Sequence, residues 1–345
     1  MSSSSYRLPA EWEPQAGVLV AWPHDQTDWA ERLAEVETTY VALVGAIARF
    51  EPVLVCVADV AVRERAHALL AAARIPLQRI RFVEIEYDDT WLRDSGPISR
   101  VGDGAFLLND FRFTGWGGKF NASRDDRLIE GLFARNVFCA AAEHQRVDWA
   151  LEGGAIESDG AGTLLTTWRC LHQRHPEQSR EQMNRIFADH LAARRVLWLE
   201  HGYLQGDDTD AHIDTLARFA PQDTIVFQAC QDNTDPHFDE LARMRAELAA
   251  LRTRLDAPYR LLELPWAQPI VDDGRRLAAS YANYLVLDDA VLVPAYGDKA
   301  DTAASEVIGR AHPGREVVQV PCRALIWQNG SLHCVTMQLP RGLLA

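Results

Sequence analysis

Several absences narrow the chain's class before any motif is read. No two of its six cysteines pair as Cys-x-x-Cys, which removes a zinc ribbon or thioredoxin-type motif. No apolar run approaches the ~18 residues of a membrane helix. Met1 to Tyr6 is a serine run leading to Arg7, without the apolar stretch of a secretory signal. No low-complexity stretch or long Pro/Gly/Ser linker divides the 345 residues. Basic charge is not in excess: 35 Lys and Arg stand against 49 Asp and Glu, a net charge of −14. General nucleic-acid and anionic-membrane binders are thereby excluded, because nothing neutralises phosphates.

What remains is an ordinary globular composition, 48% hydrophobic and 24% charged, in a chain long enough to bury a large core. The acidic balance suits a cationic partner. Cys56, Cys139, Cys170, Cys230, Cys322 and Cys334 are widely scattered, which fits a reduced, cytoplasmic setting better than a disulfide framework. Strand-like and helix-like patterns alternate throughout. Gly17 to Pro23, Pro52 to Val57 and Arg81 to Glu86 read as strands. Trp29, Leu33, Val36, Tyr40, Leu43, Val44 and Ile47 recur at helical steps, and residues 61–73 form an Ala-rich helix. Asp235-Pro236 predicts a helix start, with Phe238 to Leu255 carrying its apolar face.

Five segments place polar or reactive side chains just before a turn or strand. They centre on Asp94, Glu152, His212, Asn283 and Cys334, which lie 58, 60, 71 and 51 positions apart. This is a loose structural period of about sixty residues. It predicts five similar β/α modules presenting residues to one centre, in a single domain spanning 1–345.

A cysteine nucleophile needs a thiolate and a proton-transfer partner within reach. His333 adjoins Cys334, but neighbours on a strand face opposite ways, so His212 is the better candidate. Asp214, two residues on, would share the face of His212. A divalent metal held by Asp207, Asp208, Asp210 and His212 is a competing reading. The spacing matches neither His-Glu-x-x-His nor an EF-hand loop, and a solvated acidic loop is preferred for Asp207 and Asp208.

Taken together the segments resemble the agmatine deiminase and Porphyromonas-type peptidylarginine deiminase family of the guanidine-modifying pentein superfamily. The resemblance rests on Pro9-Ala-Glu11-Trp12-Glu13-Pro14, Ala21-Trp22-Pro23 and Asp89-Thr-Trp91-Leu-Arg93-Asp94-Ser-Gly96-Pro97. It continues through Phe113 to Phe120, Leu151-Glu152-Gly153-Gly154, Gly206 to Asp214, Tyr281-Ala-Asn283 and His333-Cys334 to Gln338. It implies an α/β fold, a five-bladed pseudo-symmetric propeller of ββαβ modules. It also implies hydrolysis of a guanidinium to a urea with loss of ammonia, needing no metal or organic cofactor. The family nucleophile falls on Cys334 and the acid/base on His212. The guanidinium-binding carboxylates fall on Asp94 and Asp214, and the family's glutamate on Glu152, orienting His212 or a substrate nitrogen. Trp91 and Trp116 would wall the pocket, with cation–π attraction to the substrate. Asn283 joins the substrate-binding set, and a homodimer is the family's expectation.

Among guanidines, agmatine is favoured, which would place the chain in putrescine and polyamine biosynthesis. An agmatine site needs acids or aromatics at its distal end, and Asp208 or Asp210 would meet the ammonium. Peptidylarginine or free arginine, giving citrulline, is the alternative. A protein substrate calls for an open cleft and often extra domains, whereas this sequence runs only eleven residues past Cys334. An amidinotransferase, handing the amidino group to an amine, is the nearest chemical rival. Lys119 reads as exposed. The Gln328 to Gln338 segment and the acidic run both depart from the commonest family wording. The catalytic set survives those departures, and the distal specificity is left open.

Overall fold

Uninterrupted valine-rich runs become buried strands. In a computed structural model, which describes residues 6–345, Val53–Val57 is buried at every position. It runs parallel to Gln15–Ala21 on one side and to Ile80–Glu84 on the other. The crossovers are helices Leu33–Ala48 and Val60–Ala72. The first buries Val36, Tyr40, Leu43, Val44 and Ile47 along its apolar stripe, each worth about 1.5–3 kcal/mol relative to exposure. The second starts at Asp59, whose carboxylate accepts from the Val62 N–H at 2.8 Å.

The same construction recurs. An antiparallel pair is followed by a third, parallel strand reached through a helical crossover. The triples are Ile98–Val101, Phe106–Arg112 and Ala142–Ala150; Ile156–Ser158, Thr163–Thr167 and Arg195–Leu199; Ala217–Ala220, Thr224–Gln228 and Arg260–Leu264; and Leu285–Val286, Ala290–Ala295 and Glu316–Pro321. The first sheet completes the pattern from the far end of the chain, since Met337–Pro340 pairs antiparallel with Gln15–Ala21. A two-stranded hairpin, Val271–Asp272 with Arg275–Arg276, stands apart from these five.

The loose sequence period now has a structural meaning. Asp94 lies in the helical turn Leu92–Ser95 before Ile98–Val101. Glu152 precedes the 3-10 turn Gly153–Ala155 and strand Ile156–Ser158. His212 precedes the 3-10 turn Ile213–Thr215 and strand Ala217–Ala220. Asn283 precedes Leu285–Val286, and Cys334 precedes Met337–Pro340. Each of the five thus sits at the entrance of the first strand of its sheet.

Two local expectations change. The helix foreseen at Asp235-Pro236 spans Phe238–Ala250. Asp235 is consumed earlier, accepting from the His237 N–H and from the Trp266 and Arg276 side chains. Residues 331–336 form turns and extended links, so Cys334 is not on a strand. No helix among the described residues is long and apolar enough to cross a membrane.

Candidate active site

The five strand entrances bring their side chains into one buried cluster. Asp94 Oδ1 accepts from the Gly154 N–H at 3.0 Å and Oδ2 from the Trp116 indole at 2.9 Å. His212, fully buried, has Nδ1 3.6 Å from Asp94 and Nε2 3.6 Å from Glu152. Asp214 Oδ2 lies 3.6 Å from Cys334 Sγ. Gly154 sits in the middle of the group. A Cβ there would come within 2.7 Å of His212 Nδ1, 2.8 Å of Asp94 Oδ1 and 3.1 Å of Asp214 Oδ2. Only a residue without a side chain leaves that space to a ligand.

Several buried polar atoms in the cluster have no hydrogen-bond partner among the described residues: both ring nitrogens of His212, Glu152 Oε2 and Asp214 Oδ1. Buried polar atoms are normally satisfied, and such a concentration marks a place where something else binds.

The charges are arranged to hold a cation. Burial raises the Asp94 carboxyl to about 6, with Asp214 and Glu152 adding to the rise and His212 opposing it. Burial also pushes on Glu152, yet His212 and Arg174 outweigh it and hold that carboxyl near about 2. His212 is driven well above its ordinary value: burial opposes this, and the Asp94, Cys170 and Glu152 side chains overcome it. The Cys334 thiol is pushed far up by burial and then by Asp214 and Asp94. A cation seated between those two carboxylates would remove part of that penalty.

Asn283 does not line the pocket. It lies beneath the sulfur, with Nδ2 3.2 Å from Sγ, and its Oδ1 accepts from the backbone N–H groups of His333 (2.9 Å) and Cys334 (3.3 Å). Its side chain therefore fixes the turn that presents the thiol. His333 is engaged by Asp214 and Glu11, and it sits in a turn, so strand alternation does not decide its direction. Asp214 likewise meets His212's surroundings through a 3-10 turn and not along one strand face.

A pocket of ≈230 Å³ leads to Cys334 and Asp94. Trp91 and Trp116 both line it, and Phe120 and Trp327 join them. Gly330 lets the Trp91 ring approach the backbone; a Cβ there would stand 2.1 Å from the ring. Trp116 takes a left-handed φ of 56°, a strained setting that its hydrogen bond to Asp94 accompanies.

The acidic run separates by role. Asp208 lines the pocket and accepts from Asn329 at 2.7 Å, so it is not a free solvated group. Asp210 is not among the lining side chains and bridges Lys119 (2.6 Å) and Arg174 (2.7 Å). Lys119 is accordingly engaged, also donating to the Asp208 carbonyl. Asp207 accepts from the Thr209 side chain and backbone and from the Ala211 N–H, closing its own loop. With two of these carboxylates paired to cations or loop donors and the third turned to the pocket, the run does not form a metal site.

Sequence reasoning missed four residues here. Arg174 donates to Glu152 Oε1 at 2.8 Å, and Cys170 sits with Glu152 and His212, their ligating atoms within 4.8 Å of one another. Both lie on helix Trp168–Arg174, four residues apart and hence on one face. That spacing was available as a signal. The Arg174 cation beside Glu152 opposes a metal ion in this trio. Asp28 and Asp89 line the pocket beside Asp208. Burial raises Asp89 to about 7.

Five like sheets and a buried cysteine, histidine and carboxylate cluster at the end of an indole-walled pocket are the construction of a guanidine-modifying enzyme. The chain belongs to the Porphyromonas-type peptidyl-arginine deiminase family, whose model matches residues 7–340. It is 34% identical to an agmatine deiminase of Stutzerimonas stutzeri, over 97% of this chain and 95% of that one. It is 33% identical to an agmatine deiminase of Pseudomonas aeruginosa, over 98% and 96%. Among solved structures, a candidate arginine deiminase from Porphyromonas gingivalis superposes with a TM-score of 0.92 at 43% identity, covering 99% and 100%. A cysteine-to-serine agmatine deiminase of C. jejuni with substrate bound gives a TM-score of 0.90 at 32% identity, covering 99% and 98%.

Proposed function

We infer that this protein is a guanidine deiminase that hydrolyses agmatine to N-carbamoylputrescine and ammonia. The observation that carries the reading is the set of unpartnered acceptors, Asp214 Oδ1 and Glu152 Oε2, buried beside Asp94 and Cys334. A planar guanidinium offers five N–H donors in one plane and answers such a set. The similar agmatine deiminases from two bacteria and the substrate-bound C. jejuni structure support it.

In the mechanism, Asp94 and Asp214 grip the guanidinium edges and hold its carbon over Cys334. Their neutralisation by the guanidinium, with the His212 imidazolium close by, favours the Cys334 thiolate, whose proton leaves to solvent. The thiolate attacks the carbon, a C–S bond forms, and the His212 imidazolium gives its proton to the departing nitrogen as the C–N bond breaks. Ammonia leaves and an S-alkylthiouronium remains. His212 then takes a proton from water, which attacks that carbon, and the urea product and free thiol follow. Glu152, kept ionised by His212 and Arg174, supports the imidazolium between these steps.

At the distal end, Asp28, Asp89 and Asp208 favour an ammonium over a carboxylate. Arg275 also lines the pocket, but it is engaged by Asn329 and the Trp327 carbonyl. Free arginine or peptidylarginine is the second reading, favoured by that guanidinium and by the likeness to the candidate arginine deiminase of Porphyromonas gingivalis. The five like sheets support a five-bladed propeller, with residues 1–345 as one catalytic domain.

The test is a panel of agmatine, arginine and short arginine peptides assayed for ammonia and ureido product. Agmatine turnover that vanishes in Cys334→Ala is expected. Retained turnover in that variant would reject the nucleophile, and citrulline as the main product would favour the second reading.

A further inference from the structure

The histidine beside the nucleophile is not idle. His333 is buried. Nδ1 lies 2.8 Å from Asp214 Oδ2, and Nε2 lies 2.8 Å from Glu11 Oε1 and 3.0 Å from the Arg218 guanidinium. Glu11 comes from the other end of the chain. It is fixed by Arg93 at 3.1 Å, by Gln338 at 3.0 Å and by Arg218. The result is a carboxylate–imidazole–carboxylate chain running from Glu11 to the sulfur.

The two oxygens of Asp214 are thereby made unlike. Oδ2 carries the His333 contact and faces Cys334 Sγ, while Oδ1 is buried without a partner. A carboxylate free to rotate about its Cβ–Cγ bond would not keep its two oxygens distinct. An imidazole anchored from behind does keep them apart, as buried networks fix a single arrangement when their members are satisfied.

We propose that His333, anchored by Glu11, is a positioning residue that holds the Asp214 carboxylate in one orientation, with Oδ2 turned to Cys334 and to the space beside Gly154 where the guanidinium edge lies. The assignment rests on the deiminase reading for the identity of the ligand, but the geometry it describes exists without substrate. The titratable and charged groups facing Asp214 and Cys334 are Asp94, His212 and His333, with Glu11, Arg218 and Arg93 behind them.

Two substitutions separate the role from mere packing. His333→Asn puts an amide N–H near the position of Nδ1 and keeps a donor for Asp214. His333→Gln reaches toward Glu11 and abandons Asp214. A fully buried Asp214 stripped of its donor takes up a proton, and a neutral Asp214 no longer repels the thiolate. The experiment follows alkylation of Cys334 by iodoacetamide against pH, read at the Cys334 peptide, with agmatine kinetics beside it. In His333→Gln the alkylation midpoint should fall, and kcat/KM for agmatine should drop about 10- to 100-fold, the usual cost of losing a residue that orients a ligand group. His333→Asn should restore the midpoint and recover most of kcat/KM. An unmoved or raised midpoint in His333→Gln overturns the proposal, as do equal effects of the two substitutions. If the unsubstituted protein fails to turn over agmatine, the deiminase reading falls, and the alkylation midpoints still judge the positioning role.

Discussion

Arg174 Nε donates to Glu152 Oε1 at 2.8 Å while the other oxygen of that carboxylate faces His212 Nε2 at 3.6 Å. The Arg174 side chain is fully buried, and its remaining nitrogens reach Asp210 at 2.7 Å and the Thr209 carbonyl at 3.0 Å. One guanidinium of the protein thus tethers the glutamate that supports the acid/base to the loop carrying His212.

Arg174→Met should therefore cost both stability and rate. Removing one partner of a buried pair leaves Glu152 uncompensated, worth about 3–5 kcal/mol. Denaturant unfolding checks the first effect. For the second, the Glu152 pKa should rise, because His212 alone then opposes burial, and kcat should fall by about 100-fold, the scale of one well-placed proton-transfer aid. Unaltered kcat in a folded variant would remove Glu152 from the mechanism.

The acid side of the pH profile should belong to Asp94. Its carboxyl stands at about 6 because burial, Asp214 and Glu152 outweigh His212. The ionised form grips the guanidinium, so kcat/KM should be flat above about 6 and fall about tenfold per pH unit below it. The stability effect has the opposite sign. A raised carboxyl binds its proton more tightly in the folded state, so folding is favoured at low pH and loses that contribution as pH rises from 3.8 through about 6. Initial rates at low agmatine concentration across pH 4.5 to 8 check the first; an acid limb centred near pH 4 would assign it elsewhere.

The site's skeleton was legible in the sequence, and its supports were less so. Asp94, Glu152, His212, Asn283 and Cys334 recur because each stands at the entrance of a first strand, and strand spacing leaves a trace in one dimension. Glu11 meets His333 across 322 positions, a contact that only tertiary pairing of Met337–Pro340 with Gln15–Ala21 creates. Asp208 and Asp210 could not be told apart in sequence, because alternation does not govern the irregular loop between Leu199 and Ile213. Asp210 and Ala211 both adopt left-handed φ there, at 67° and 74°, and the two carboxylates diverge. Trp116 lines the pocket, but its hydrogen bond to Asp94 depends on the turn Gly115–Gly118, which no periodicity describes.

That divergence makes Asp208 and Asp210 a matched pair for experiment. Asp208→Asn, alone and with Asp89→Asn, should raise KM for agmatine about tenfold per lost charge with little change in kcat, as expected for uniform binding at the distal ammonium. Asp210→Asn should instead lower kcat and thermal stability, because it leaves Lys119 and Arg174 without their shared carboxylate. Steady-state kinetics of the three variants decides it. A KM effect confined to Asp210→Asn would reverse the assignment of the distal acids.

Gly154→Ala tests the cluster without touching any charge. The added Cβ would stand 2.7 Å from His212 Nδ1 and 2.8 Å from Asp94 Oδ1, closer than carbon normally approaches either atom. The backbone at Gly154 is not left-handed, so alanine brings no conformational strain of its own. The whole effect is therefore steric and falls on the space where the guanidinium edge must lie. Displacing reacting groups by about 1 Å costs on the order of 100-fold in rate. The variant should fold with a near-parental melting temperature, lose about 100-fold or more in kcat/KM for agmatine, and bind agmatine weakly by calorimetry in a Cys334→Ala background. Full activity in Gly154→Ala would mean that the guanidinium sits elsewhere in the pocket, and the grip assigned to Asp94 and Asp214 would have to be abandoned with it.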